Sequence, residues 1–196
     1  MGGAYAASGA GQLAVTNGFG FASLSVGQRG RVLLPDAASR DVVFEYTVAL
    51  DRAPRTGETV VYAIMRGSDE TSAYQLALHF APSAVYAEID KLVDGAVVSL
   101  GPDVAVTSQA PASDTPVALR VRVEASGSDP TSLRLRAWPA TEPEPNEWHV
   151  SVIDWTGQLQ GGGAIGIGWQ TDAQETSPVV LHFSMLSAWV AGEGVN

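Results

Sequence analysis

Apolar and polar positions alternate with a period of two along most of this chain, the pattern of strands that bury one face and wet the other. In "DVVFEYTVAL", Phe44, Tyr46, Val48 and Leu50 share one face, and Glu45 and Thr47 share the other. "AYQLALHF" repeats the device, with Tyr74, Leu76, Leu78 and Phe80 set against Gln75 and His79. In "VALRVRVEA", Val117, Leu119, Val121 and Val123 oppose Arg120, Arg122 and Glu124. Turn chemistry separates the runs. Asp94-Gly95 is a two-residue hairpin signal, since both residues tolerate positive φ. "SGSDPTS" at 126–132 is a polar turn between two Arg-rich strands, and "TSQAPASDTP" is a loop too short for an interdomain linker. The pattern predicts about a dozen short strands at roughly 8–12-residue spacing, and no stretch shows a helical period of ten or more residues. The expected fold is all-β, an antiparallel sandwich forming one domain over residues 1–196.

The stretch "LRLRAWPATEPEPNEWHVSVIDWTG" holds three of the five tryptophans. Alternation sets Leu133, Leu135 and Ala137 on one face and puts Trp138 with Arg134 and Arg136 on the other. Trp148 falls with Val150 and Val152 on an inward face, to plug the core or staple the preceding loop, while Trp155 lies opposite with His149, Ser151 and Ile153. A sugar site needs an aromatic face for pyranose CH groups and planar polar groups for hydroxyls. The candidate glycan-binding residues are Trp138, Trp155, Trp169 and Arg136, with Tyr74 as a further platform and Arg134 as a further polar partner. Packing inside the sandwich is the competing fate for each ring.

Charge narrows the partners. The formal net charge is -10, which disfavours phosphate backbones, so nucleic acid is not expected as a partner. With no cysteine there are no disulfides and no thiolate metal sites. No window approaches the roughly 18 apolar residues that would span a bilayer, so no membrane partner is expected. His79, His149 and His182 each stand alone within a strand, and no Gly-x-Ser-x-Gly elbow is present. "GGGAIGIGW" lacks the Lys-Ser/Thr of a phosphate loop; its glycines are expected to make room for Trp148 or Trp155.

Several motifs together resemble a known group. Arg136 and Trp138 close one strand; Glu144, Pro145 and Trp148 follow in a loop; Asp154 ends the next strand; and Gly161 to Gly168 form a Gly-rich strand. "RGRVLLP", "DVVFEYTVALDR", "TSAYQLALHF" and the final "PVVLHFSMLSAW" fit the same order. This arrangement resembles the concanavalin A-like, laminin-G-like jelly-roll domains of actinobacterial secreted proteins and of minor tail or fibre proteins of their phages. The resemblance spans about residues 3 to 190.

The resemblance implies a jelly roll that hosts many functions. Jelly-roll glycoside hydrolases of similar fold carry Glu-x-Asp-x-Glu. Here "AEIDKLVDG" supplies Glu88 and Asp90, but Leu92 stands at the next same-face position, so the second glutamate is missing. No enzymatic activity is expected. Such domains also often hold calcium; Asp154 and Asp172 are the candidate ligands, with Asp69, Glu70 and Glu175 as further loop acids. No secretory signal opens the chain, which favours a virion protein assembled in the host cytoplasm over an extracellular module. The expected function is a non-catalytic phage tail, fibre or capsid-decorating subunit in a homo-oligomeric or larger assembly, its partners other virion proteins or a host cell-surface glycan. The alternative is a carbohydrate-binding module of a secreted glycan-processing protein, and a third reading is a glycoside hydrolase.

Overall fold

The computed structural model describes residues 6–9, 12–16, 19–107, 117–176 and 178–192. Most of the proline-bearing loop after Thr107 therefore lies outside the described residues. Among those described, the alternating runs form fifteen strands and no helix. They are β1 (Ala6–Gly9), β2 (Gln12–Thr16), β3 (Phe19–Leu24), β4 (Arg29–Ser39), β5 (Val42–Leu50), β6 (Thr59–Gly67), β7 (Ala73–Phe80) and β8 (Val85–Val93). The rest are β9 (Ala96–Ser99), β10 (Val104–Thr107), β11 (Val117–Ser126), β12 (Thr131–Pro139), β13 (Val150–Asp154), β14 (Gly163–Thr171) and β15 (Val179–Val190). Eight strands make sheet A, in the order β1-β4-β14-β6-β7-β8-β10, with β9 paired to β8 beside that path. Seven make sheet B, in the order β13-β12-β11-β5-β15-β3-β2. Every pairing described is antiparallel.

The inner faces are those that alternation selects. Phe44, Tyr46, Val48 and Leu50 from β5, Leu119, Val121 and Val123 from β11, and Tyr74, Leu76, Leu78 and Phe80 from β7 are all buried. Each of the aliphatic and phenylalanine side chains among them contributes about 1.5–3 kcal/mol by leaving water. The β8–β9 hairpin turns at Asp94 and Gly95 with φ of 51° and 82°, as the Asp-Gly pair predicts.

Strand β14 runs through sheet A between β4 and β6. Its glycines are required by close approach: a Cβ on Gly166 would lie 2.2 Å from the Val32 carbonyl oxygen, and one on Gly168 would lie 2.2 Å from the ring of Tyr62. The glycine run therefore seats Tyr62 and the β4 backbone. The expected room beneath Trp148 or Trp155 is corrected on this point.

Two buried cations tie the sandwich together. Arg66 is 1% exposed and donates to the carbonyl oxygens of Arg40, Leu159 and Gly127 and to Thr131 Oγ1, at 2.6–3.1 Å. Lys91 Nζ donates to Asp154 Oδ2 at 3.2 Å and to Thr156 Oγ1 at 2.5 Å. Tyr74 gives its hydroxyl proton to the same Asp154 oxygen at 2.8 Å. Burial alone would raise the Asp154 carboxyl, but hydrogen bonds from Thr156, Tyr74 and Lys91 hold it below the usual carboxylate range.

Candidate functional site

The outer face of sheet A is organised as rows that cross five strands. One row runs Arg31, Gly168, Tyr62, Ala77, Glu88. The next runs Leu33, Gly166, Ile64, Gln75, Asp90, and a third Arg29, Gln170, Val60, His79, Tyr86. Tyr62 lies over Gly168, and burial raises its hydroxyl pKa. A groove of about 320 Å³ lies beside it, lined by Tyr62, Gln75, Gln170, Arg29 and Arg31, with Leu92 and Val97 of the β8–β9 hairpin on one side. Arg31 pairs with Glu70 at 3.2 Å and donates to Ser8 Oγ at 3.2 Å. The groove thus offers one aromatic ring and both donors and acceptors of planar geometry.

The far end of the same face is acidic. His79 stands between two glutamates, with Nδ1 3.1 Å from Glu58 Oε2 and Nε2 3.1 Å from Glu88 Oε2. Asp90 neighbours Gln75 across the strand pair, and its Oδ1 is buried with no hydrogen-bond partner among the described residues. Burial, and then the adjacent Glu88 carboxylate, push the Asp90 carboxyl from 3.8 up to about 7. Between about pH 4 and about pH 7 the folded protein holds a proton that the unfolded chain releases, so ionising Asp90 costs stability as pH rises through that window. We expect Asp90→Asn to be more stable than the wild type at pH 8 and to lose this advantage at pH 4. Urea midpoints of both proteins across that range check it, and a difference independent of pH refutes it.

No protein-family model matches the sequence, and no curated protein does. Solved structures do match in shape. The carbohydrate-binding module CBM66 from Bacillus subtilis superposes with a TM-score of 0.59 at 14% identity, over 93% of this chain and 94% of its own. A legume lectin-like domain from Entamoeba histolytica gives 0.59 at 10% identity, over 96% and 90%. The carbohydrate recognition domain of Emp46p, in its metal-free form, gives 0.54 at 14% identity, over 92% and 87%. The fold is a concanavalin A-like jelly roll. At these identities the likeness is one of fold alone.

The jelly roll does not bring the sequence-predicted site residues together. Trp169 is 1% exposed, on the inner face of β14 against Phe183, so it cannot serve as a surface platform. Tyr74 is buried and committed to Asp154. Trp138 is on the outer face of sheet B, as alternation predicts, but is buried there with the Arg120 guanidinium 5.4 Å from its ring. Trp148 is corrected from inward to outward: it is half-buried, with the Arg136 guanidinium 4.4 Å from its ring. Its stapling role stands, because Glu144 of the same loop pairs with Arg122 and Arg136. Arg136 is therefore engaged by Trp148, Glu144 and the Pro145 carbonyl. Trp155 is exposed at 71%, beside exposed Ile153 at the margin of sheet B, and does not line the groove on sheet A.

The acids considered for calcium are dispersed as well. Both Asp154 oxygens accept bonds from Tyr74, Lys91 and Thr156, and Asp172 Oδ1 caps the Gln174 N–H at 2.8 Å. Glu70 pairs with Arg31, Asp69 bonds Thr71, and Glu175 accepts from the Arg55 N–H. Among the described residues no group of three or more His, Cys, Asp or Glu forms a metal-binding set. Asp154 and Asp172 belong to no such set among the described residues.

Tyr62, Gln75, Gln170, Arg29 and Arg31 escape a reading of sequence alone. Alternation in "TVVYAIMRG" does place Val60, Tyr62 and Ile64 on one face, but only the register against β14 puts a glycine beneath the ring.

Proposed function

We propose that this chain is a non-catalytic carbohydrate-binding domain that holds a neutral glycan in the groove on the outer face of sheet A. The observation that carries the reading is the Tyr62 ring, seated on Gly168 and flanked by Gln75, Gln170, Arg29 and Arg31. A pyranose ring stacks on the tyrosine while the amides and guanidinium groups bond its hydroxyls. Further support is the fold shared with domains named for carbohydrate binding or recognition. A tail, fibre or capsid-decorating subunit contacting host-surface glycans would use the same groove, and retention on purified cell wall tests that setting.

Affinity electrophoresis against a panel of soluble neutral polysaccharides tests the proposal. At least one polysaccharide is expected to retard the wild-type protein, with Tyr62→Ala weakening binding about tenfold or more. Gly168→Ala is expected to do the same by driving its Cβ into the tyrosine ring. Retardation that survives both substitutions, or no retardation by any polysaccharide, refutes the groove as the site. A second reading, hydrolysis, draws on the paired carboxyls of Glu88 and Asp90. Reducing ends released by the wild type and lost in Glu88→Gln would establish it.

A further inference from the structure

The acidic end of the outer face of sheet A adjoins the groove through one side chain. Gln75 lines the groove and stands opposite Asp90 in the β7–β8 register. On β8 the outward positions beside Asp90 are Glu88 and Leu92, and the residue opposite it on β9 is Ser99. His79 and Asp103 are the other ionisable groups near it, with Glu58 on the far side of the imidazole. The charged surroundings of Asp90 are therefore three carboxyls and one imidazole. Lys91, next in the chain, does not change this, because its ammonium is turned inward to Asp154 and Thr156.

Glu88 reaches Asp90 closely enough to hydrogen-bond it, and two carboxyls can do so only while one of them holds a proton. Glu88 Oε2 lies 3.1 Å from His79 Nε2. The imidazole offers Glu88 a donor that Asp90 lacks, which places the proton on Asp90. On losing it, Asp90 meets a like charge and needs a new donor. Ser99 cannot supply one without giving up the Gly101 carbonyl oxygen, to which its hydroxyl donates at 2.8 Å. The Gln75 amide is the other polar group directly opposite, and side chains so placed on neighbouring strands come into contact.

We propose that Asp90 is a proton-operated switch on the groove: protonated, it leaves the Gln75 amide to the glycan; ionised, it draws that amide away and weakens binding. This switch presupposes that the groove is the glycan site. Affinity is full while Asp90 holds its proton and falls as pH rises through about 7.

Two measurements separate the switch from the reading beneath it. The first needs no glycan. NMR follows the Gln75 side-chain amide, assigned by its loss in Gln75→Leu, from about pH 5 to about pH 9. Its resonances are expected to move with one midpoint at about 7 and to stay still in Asp90→Asn, whose amide stands in for the protonated carboxyl. No movement in the wild type overturns the switch, as does movement that persists in Asp90→Asn and so belongs to His79. The second measurement repeats the affinity electrophoresis on either side of that midpoint. The wild type is expected to bind about fivefold more weakly at the higher pH, the worth of one hydrogen bond. Asp90→Asn is expected to bind equally at both. Equal binding by the wild type at both values also overturns the switch. Retardation by no polysaccharide at either pH, with the Gln75 resonances still titrating, overturns the glycan reading and leaves the coupling of Asp90 to Gln75 standing.

Discussion

Asp154→Ala is expected to destabilise the protein by about 3–5 kcal/mol, because it leaves the Lys91 ammonium buried without its counter-charge. Lys91 is 4% exposed and Asp154 3%, so water cannot replace the lost carboxylate without opening the sandwich. The same substitution strips an acceptor from the Tyr74 hydroxyl and from Thr156. In a chain of this size the midpoint of thermal unfolding should fall by roughly 10 °C, measured by circular dichroism. The companion variant removes both charges. Lys91→Met combined with Asp154→Leu should recover most of the loss, since an apolar pair avoids the desolvation that an ion pair must offset. A single variant within about 1 kcal/mol of wild type would show that the ammonium finds another partner.

Arg66→Met is the second large effect, expected at about 3–4 kcal/mol from four hydrogen bonds of about 1 kcal/mol each. The guanidinium joins β6 to the β4–β5 turn through Arg40, to the β11–β12 turn through Gly127, to the start of β12 through Thr131, and to the β13–β14 loop through Leu159. Methionine fills similar space but leaves three carbonyls in a poorly hydrated site. Arg66→Lys should rescue little, because an ammonium presents its donors from a single point where the fork reaches four acceptors. Denaturant unfolding measures both variants. Hydrogen exchange at residues 127–131 should rise in each; unchanged protection there would separate Arg66 from the role assigned to it.

Local rules carried the inner faces of this fold and failed at its outer ones. Alternation within a strand is set by the pleat, so Phe44, Tyr46, Leu76 and Val121 could be assigned inward before any pairing was known. Asp94-Gly95 was legible for the same reason, its φ angles being a property of two residues. Trp148 departs from alternation because it precedes β13, which begins at Val150; a period of two says nothing about a side chain outside the strand. Trp169 obeys alternation, sharing the buried face of β14 with Ile165 and Ile167 opposite Gly166 and Gly168. The groove could not be read at all. Its rows take residues from β4, β14, β6, β7 and β8, and register between strands remote in sequence is set by the packed whole.

The strand order has a consequence for synthesis. In each sheet a late strand fills an interior place, β14 between β4 and β6 and β15 between β5 and β3. A chain leaving the ribosome therefore carries two incomplete halves per sheet, with open edges, until residues 163–190 emerge. Closure across such separations is slow, so the nascent chain must avoid off-pathway pairing during that wait.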